Sequence, residues 1–108
     1  MSEVIERIES AITGNRICIF MKGNRNFPMC GFSAATIQIF ENLAVPYGTV
    51  DVLSDAELRE EIKLYSNWPT IPQVYIDGKF VGGCDIVREL YETGELQDLV
   101  KSAVSQSA

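Results

Sequence analysis

Gln73-Val74-Tyr75-Ile76-Asp77-Gly78-Lys79-Phe80-Val81-Gly82 is the stretch on which the fold turns. Two short strand-like runs flank Asp77-Gly78, the dipeptide best suited to a tight two-residue hairpin turn. Residues 73–76 and 79–82 are therefore predicted to pair antiparallel. Upstream, Ile17-Cys18-Ile19-Phe20-Met21 is a continuous apolar run, the pattern of a strand buried on both faces in a sheet covered by helices. Tyr47 to Val52 reads as another strand, ended by Ser54. Val4, Ile5, Ile8 and Ile12 recur at helical spacing before Gly14, and apolar positions 32, 35, 39, 40 and 43 do so again after a loop over Gly23 to Met29. Ser54 with Glu57 predicts a capping box for a helix that buries Leu58, Ile62 and Tyr65 and stops at Trp68-Pro69. Beyond the hairpin, Asp85 is expected to cap a helix reaching Tyr91 and Gly94 to terminate it. Leu96, Leu99, Val100 and Val104 mark a final helix before a tail that frays from about residue 105.

Strands separated by helices pair in parallel through right-handed crossovers, and the hairpin adds two antiparallel strands. The expected architecture is α/β: a four-stranded mixed sheet with helices on both faces, the thioredoxin-like arrangement. At 108 residues the chain suits one domain, 1–108, with no room for a second core. Hydrophobic residues at 46% and charged residues at 22% place it among ordinary globular proteins rather than disordered ones. A net charge of -6 disfavours nucleic acid and anionic membrane surfaces as partners. No apolar run approaches the ~20 residues that span a bilayer, and Met1 to Glu9 lacks the basic-then-apolar pattern of a leader. The expectation is a cytoplasmic protein.

Histidine is absent, which removes Ser-His and Cys-His pairs, histidine acid-base catalysis and imidazole metal ligation. Cys18, Cys30 and Cys84 are odd in number and too few for a disulfide framework, which points to reduced thiols. Cys18 lies inside the apolar strand and reads as core. Cys30 lies where a loop enters a helix, so the helix dipole and unpaired N–H groups favour its thiolate. The competing reading of Cys30 is a small buried hydrophobe; Pro28, Gly31 and the loop setting weigh against it. In Cys30-Gly31-Phe32-Ser33, Ser33 stands where a dithiol motif carries its second cysteine, so a local disulfide cycle is unavailable.

Lys22-Gly23, Pro28, Cys30-Gly31-Phe32-Ser33, Trp68-Pro69-Thr70-Ile71-Pro72 and Gly82-Gly83-Cys84-Asp85 together resemble the monothiol, CGFS-type glutaredoxins. The resemblance spans roughly Ile5 to Leu99; Met29, where many members carry a polar residue, is the main departure. It implies a protein that binds glutathione and holds a 2Fe-2S cluster between two subunits. The homodimer would donate the cluster to apo iron-sulfur proteins, with BolA-like proteins as further partners and a role in iron homeostasis. A ligand count agrees: such a cluster normally needs four thiolates, and this chain offers one well-placed cysteine without ferredoxin spacing. Two Cys30 thiolates and two from glutathione would complete the set.

Glutathione carries two carboxylates and an ammonium, so its site needs cations or N–H donors and one carboxylate. Lys22, ending the first strand, is the first candidate cation. Arg59 and Lys63 lie four apart on one helix, where a bound anion would relieve their repulsion. For Lys63 a solvated pair screened by Glu60 and Glu61 fits as well; the resemblance favours Arg59 as the partner of the glycine carboxylate. Pro72 reads as a strand-start residue, and the low base rate of cis X-Pro bonds argues for a trans peptide. The resemblance reverses this: it implies a cis Pro72 beside Cys30, with the Ile71 backbone pairing with the ligand's cysteinyl part. It also brings Phe32 to the site as a neighbour of Cys30. Gly83 permits close backbone approach, and Cys84-Asp85 opens a helix whose N–H groups can take a carboxylate while Asp85 meets an ammonium. A plain hairpin exit with an Asp cap is the simpler alternative. Cys84 is also a candidate resolving thiol, although spacing gives no distance.

Three functions follow: a cluster carrier, a glutathione-dependent oxidoreductase that reduces mixed disulfides through Cys30, and an adaptor whose groove only docks partners. Ser33 favours the carrier over vigorous disulfide chemistry, leaving at most weak oxidoreductase activity.

Overall fold

The computed structural model describes residues 3–105, so most of the expected frayed tail lies outside the described residues. The elements run α1 (Glu3–Gly14), β1 (Ile17–Met21), α2 (Gly31–Leu43), β2 (Gly48–Asp51), α3 (Ala56–Ser66), β3 (Gln73–Ile76), β4 (Lys79–Gly82), α4 (Cys84–Thr93) and α5 (Glu95–Ser105). The sheet is four-stranded with order β2-β1-β3-β4. β1 pairs parallel with β2 and antiparallel with β3, and β3 pairs antiparallel with β4. Asp77 and Gly78 both adopt positive φ, 54° and 79°, as the two-residue hairpin turn requires. This is the thioredoxin-like arrangement that the order of elements predicts.

All five residues of β1 are buried because helices cover both faces. On one face Cys18 and Phe20 pack with Val4, Ile8 and Ile12 of α1 and Leu58 and Ile62 of α3. On the other, Ile17, Ile19 and Met21 pack with Ile37 and Phe40 of α2, Val87 of α4 and Leu96 and Val100 of α5. No helix among the described residues is long and apolar enough to cross a membrane.

Several boundaries differ from expectation for identifiable reasons. Asp55, not Ser54, caps α3: its carboxylate accepts from the Glu57 and Leu58 N–H groups, while the Ser54 hydroxyl donates to the Asp51 carbonyl. Asn67 ends α3 in the left-handed conformation, and the Trp68 N–H reaches back to the Lys63 carbonyl. α4 starts two residues early, with Gly83 at its cap and Asp85 inside the first turn. It also runs past Tyr91, to Thr93. Tyr65 and Leu99, expected in the core, are each 42% exposed; Tyr65 still approaches the Tyr75 ring, tilted by 53° at 6.5 Å between centroids.

Candidate functional site

Cys30 occupies the N-cap of α2, with φ and ψ of -153° and 138°, and its side chain makes no capping bond. Its sulfur faces helix-end amides instead. The Ser33 N–H is the largest influence and lowers its pKa; burial, the next largest, opposes it, and the Phe32 N–H, the Lys22 charge and the Ser33 hydroxyl lower it further, so the net shift is downward. Of the three free cysteines, only Cys30 escapes full burial. Cys18 behaves as core: burial pushes its thiol up to about 12, so it stays protonated and inert at neutral pH.

Ser33 is completely buried and its Oγ accepts the Lys22 backbone N–H at 3.1 Å. This bond ties the first turn of α2 to the end of β1. The preceding loop folds on itself: Met29 N–H donates to the Lys22 carbonyl at 2.8 Å, and Asn24 and Phe27 exchange backbone bonds. Gly23 has φ +88°, and a Cβ there would run into the Phe27 carbonyl and come within 2.8 Å of the Met29 nitrogen.

A groove of about 680 Å³ opens beside the thiol. Its lining includes every residue nominated from the sequence: Lys22, Cys30, Phe32, Arg59, Ile71, Pro72, Gly83, Cys84 and Asp85. Size and mixed polar and apolar walls suit a peptide-sized ligand. The Ile71–Pro72 peptide is cis, against the base rate and as the resemblance implies. Lys63 also lines the groove, but its ammonium is paired with Glu60 at 3.3 Å, which matches the screened-pair alternative. The Arg59 guanidinium has no hydrogen-bond or ion-pair partner among the described residues. Asp85 is not a cap; it faces Arg88 across 4.0 Å with its side chain 87% exposed. Cys84 is buried, and its sulfur accepts from Arg88 Nη2 at 3.5 Å.

Trp68 also lines the groove; from sequence it reads as a helix stop and as part of a motif that carries the resemblance, without a place in the site. Its indole packs on Phe80, and Nε1 is buried without a hydrogen-bond partner. A Cβ on Gly83 would lie 3.1 Å from that nitrogen and 3.2 Å from the Pro72 carbonyl. Gly83 therefore lets wall groups approach one another. Glu60, Pro69, Thr70 and Ile86 complete the lining. The one available signal was an aromatic beside a proline shortly before a strand.

The glutaredoxin family model matches residues 17–81. The ycf64-like monothiol glutaredoxin of Synechocystis sp. is 52% identical over 103 residues, covering 95% of this chain and 96% of that protein. The chain belongs to the monothiol glutaredoxins. This glutaredoxin superposes on the reduced apo form of poplar GrxS14, solved in solution, with a TM-score of 0.84 at 44% identity over 94% of each chain. A buckwheat glutaredoxin solved with glutathione has a TM-score of 0.82 over 93% of this chain and 89% of that one; at 22% identity it speaks for the fold alone. Among the described residues no group of three His, Cys, Asp or Glu side chains could hold a metal ion.

Proposed function

We propose that this glutaredoxin is a cytoplasmic carrier that binds glutathione in the groove and shares a 2Fe-2S cluster between two copies. The observation that carries this reading is a lone accessible thiol with lowered pKa, set at a helix N-terminus beside a groove with cations, and backed by Ser33 instead of a second thiol. The cluster is cargo here. One chain offers it one thiolate, two chains offer two, and two glutathione thiolates bring the number to the usual four. Lys22 and Arg59 suit the carboxylates of glutathione, and Asp85 suits its ammonium. Ile71, Pro72 and Phe32 all line the groove, where a cysteinyl segment would run. Exogenous ligands leave more easily than protein ones, which fits donation to apo iron-sulfur proteins. BolA-like proteins would dock on the same face, and supply of clusters would link the protein to iron homeostasis.

The lowered Cys30 pKa also favours a second, minor activity. The Cys30 thiolate attacks the glutathione sulfur of a mixed disulfide, releasing the substrate thiolate. A second glutathione thiolate then attacks the Cys30 mixed disulfide, giving oxidised glutathione and regenerating Cys30. No electrons are left over.

The test is anaerobic loading with iron, sulfide and either glutathione or a small thiol lacking carboxylates. Cluster half-life is expected to fall about tenfold or more with the bare thiol, as expected if charge-assisted bonds of roughly 1.5–3 kcal/mol are lost. Equal half-lives would show that the groove does not recognise glutathione.

A further inference from the structure

Besides the Met29 bond to the Lys22 carbonyl, the loop before Cys30 is tied down at two places. At its base the Gly23 N–H donates to Asp51 Oδ1 at 3.0 Å. At its tip Arg25 Nη2 donates to the Tyr47 carbonyl at 2.6 Å, with the guanidinium 4.3 Å from the centre of the Tyr47 ring. Among the described residues this is the only hydrogen bond from residues 24–27 to the rest of the chain; their other bonds stay within the loop. The Tyr47 hydroxyl in turn donates to Glu41 Oε2 at 2.6 Å. Burial first and the Glu41 carboxylate second push that phenol up to about 12, so it remains a donor at neutral pH. Glu41 belongs to α2, the helix that Cys30 caps. The contacts close a circuit from the loop tip through Tyr47 to α2 and back to Cys30.

That circuit holds an unusual surface. Phe27 is 73% exposed, Met29 68% and Phe32 59%, three large apolar side chains flanking the one accessible thiol. Resting on the carrier reading above, the argument is geometric. Two Cys30 sulfurs cannot ligate one cluster unless the residues flanking them in sequence come face to face.

We propose that Arg25 is a positioning residue for cluster sharing: by fastening the loop tip to Tyr47 it holds Phe27 and Met29 as a fixed shelf for the second copy of the chain. A loop already ordered spares the dimer the entropy of ordering it on contact. A guanidinium suits the task because one group can both donate to a carbonyl and lie over an aromatic face.

The test compares parent, Arg25→Ala, Arg25→Lys and Tyr47→Phe by amide hydrogen exchange at Phe27 and Met29, glutathione affinity of the apo chain, and lifetime of the loaded dimer. Arg25→Ala is expected to exchange those amides and lose the dimer about tenfold faster, the equivalent of one charge-assisted bond. Glutathione affinity is expected to stay within about twofold, because Arg25 is outside the groove. Arg25→Lys keeps a donor and a charge and falls between. Tyr47→Phe keeps the carbonyl and the ring face but loses the Glu41 bond that ties Tyr47 to α2, so it too falls between the parent and Arg25→Ala. Unchanged exchange in Arg25→Ala overturns the clamp. So does an equal drop in glutathione affinity, which would mean a long-range charge effect. A parent that takes up no cluster removes the carrier reading instead, and the exchange comparison still decides whether Arg25 holds the loop.

Discussion

At Ser33 one hydroxyl decides which chemistry Cys30 can do. It is buried, it accepts the Lys22 N–H, and it helps hold the Cys30 thiolate. Ser33→Cys puts a second thiol one helical turn from the first, within reach of a mixed disulfide. Turnover of a glutathionylated substrate is expected to rise about tenfold or more in that variant, while cluster delivery to an apo-ferredoxin stays level or falls. Delivery and turnover measured side by side on parent and variant check this; a parent already as fast as the variant, and delivering nothing, would favour the oxidoreductase. Cys30 was legible in sequence because loop residues on one side and helical periodicity on the other locate a helix start. Trp68 was not. Periodicity stops with α3, and nothing in a dipeptide says that its indole will turn into the wall against Gly83.

Elements are placed by contacts far apart in the chain, as the start of α3 illustrates. Ser54 and Asp55 are adjacent and both are good caps. The choice falls to Asp55 because Arg7 of α1, 48 residues away, bonds its carboxylate at 2.7 Å. The Arg7 bond first, then the Leu58 N–H, hold the Asp55 carboxyl below its ordinary value of 3.8. A depressed folded-state pKa contributes stability that is present above the unfolded value and is lost as pH falls through the folded one. Asp55→Ala is therefore expected to lower the unfolding midpoint at pH 7 by more than at pH 2, where the two proteins should converge. Thermal unfolding across pH reads this directly, and a constant difference would contradict it. The hairpin needed no such help: Asp77-Gly78 sets its own turn, so sequence and structure agree there. Tyr65 and Leu99 were misplaced because helical spacing identifies a stripe and not how much of its edge the neighbours cover. In the loop before Cys30, Gly23→Ala faces both a left-handed φ and a collision with Phe27, at a cost of about 1–3 kcal/mol. A denaturation midpoint unchanged in that variant would show that the loop can refold around a side chain.

The whole molecule brings the nine nominated residues from α2, α3, α4 and three connecting segments to one groove because β1 and β3 are neighbours in the sheet. Parallel and antiparallel pairing set the end of β1, the start of β3 and the start of α2 side by side. That convergence was legible through the resemblance, which sets Pro72 beside Cys30; the order of elements alone gives the mixed sheet and not which strands are neighbours. The groove's inner wall was not, since it depends on packing among Trp68, Phe80, Pro72 and Gly83. A charge of -6 on the chain contrasts with cations such as Lys22 and Arg59 at the groove. The same count of ligands that limits one chain to one thiolate makes the assembly itself the most direct test. After anaerobic loading with iron, sulfide and glutathione, size-exclusion chromatography with iron, sulfide and absorption analysis should give a coloured dimer with about one 2Fe-2S cluster per two chains. Cys30→Ser should give a colourless monomer, and Cys18→Ser should match the parent. A cluster retained in full by Cys30→Ser, or held by a monomer of the parent, would contradict the shared-cluster account.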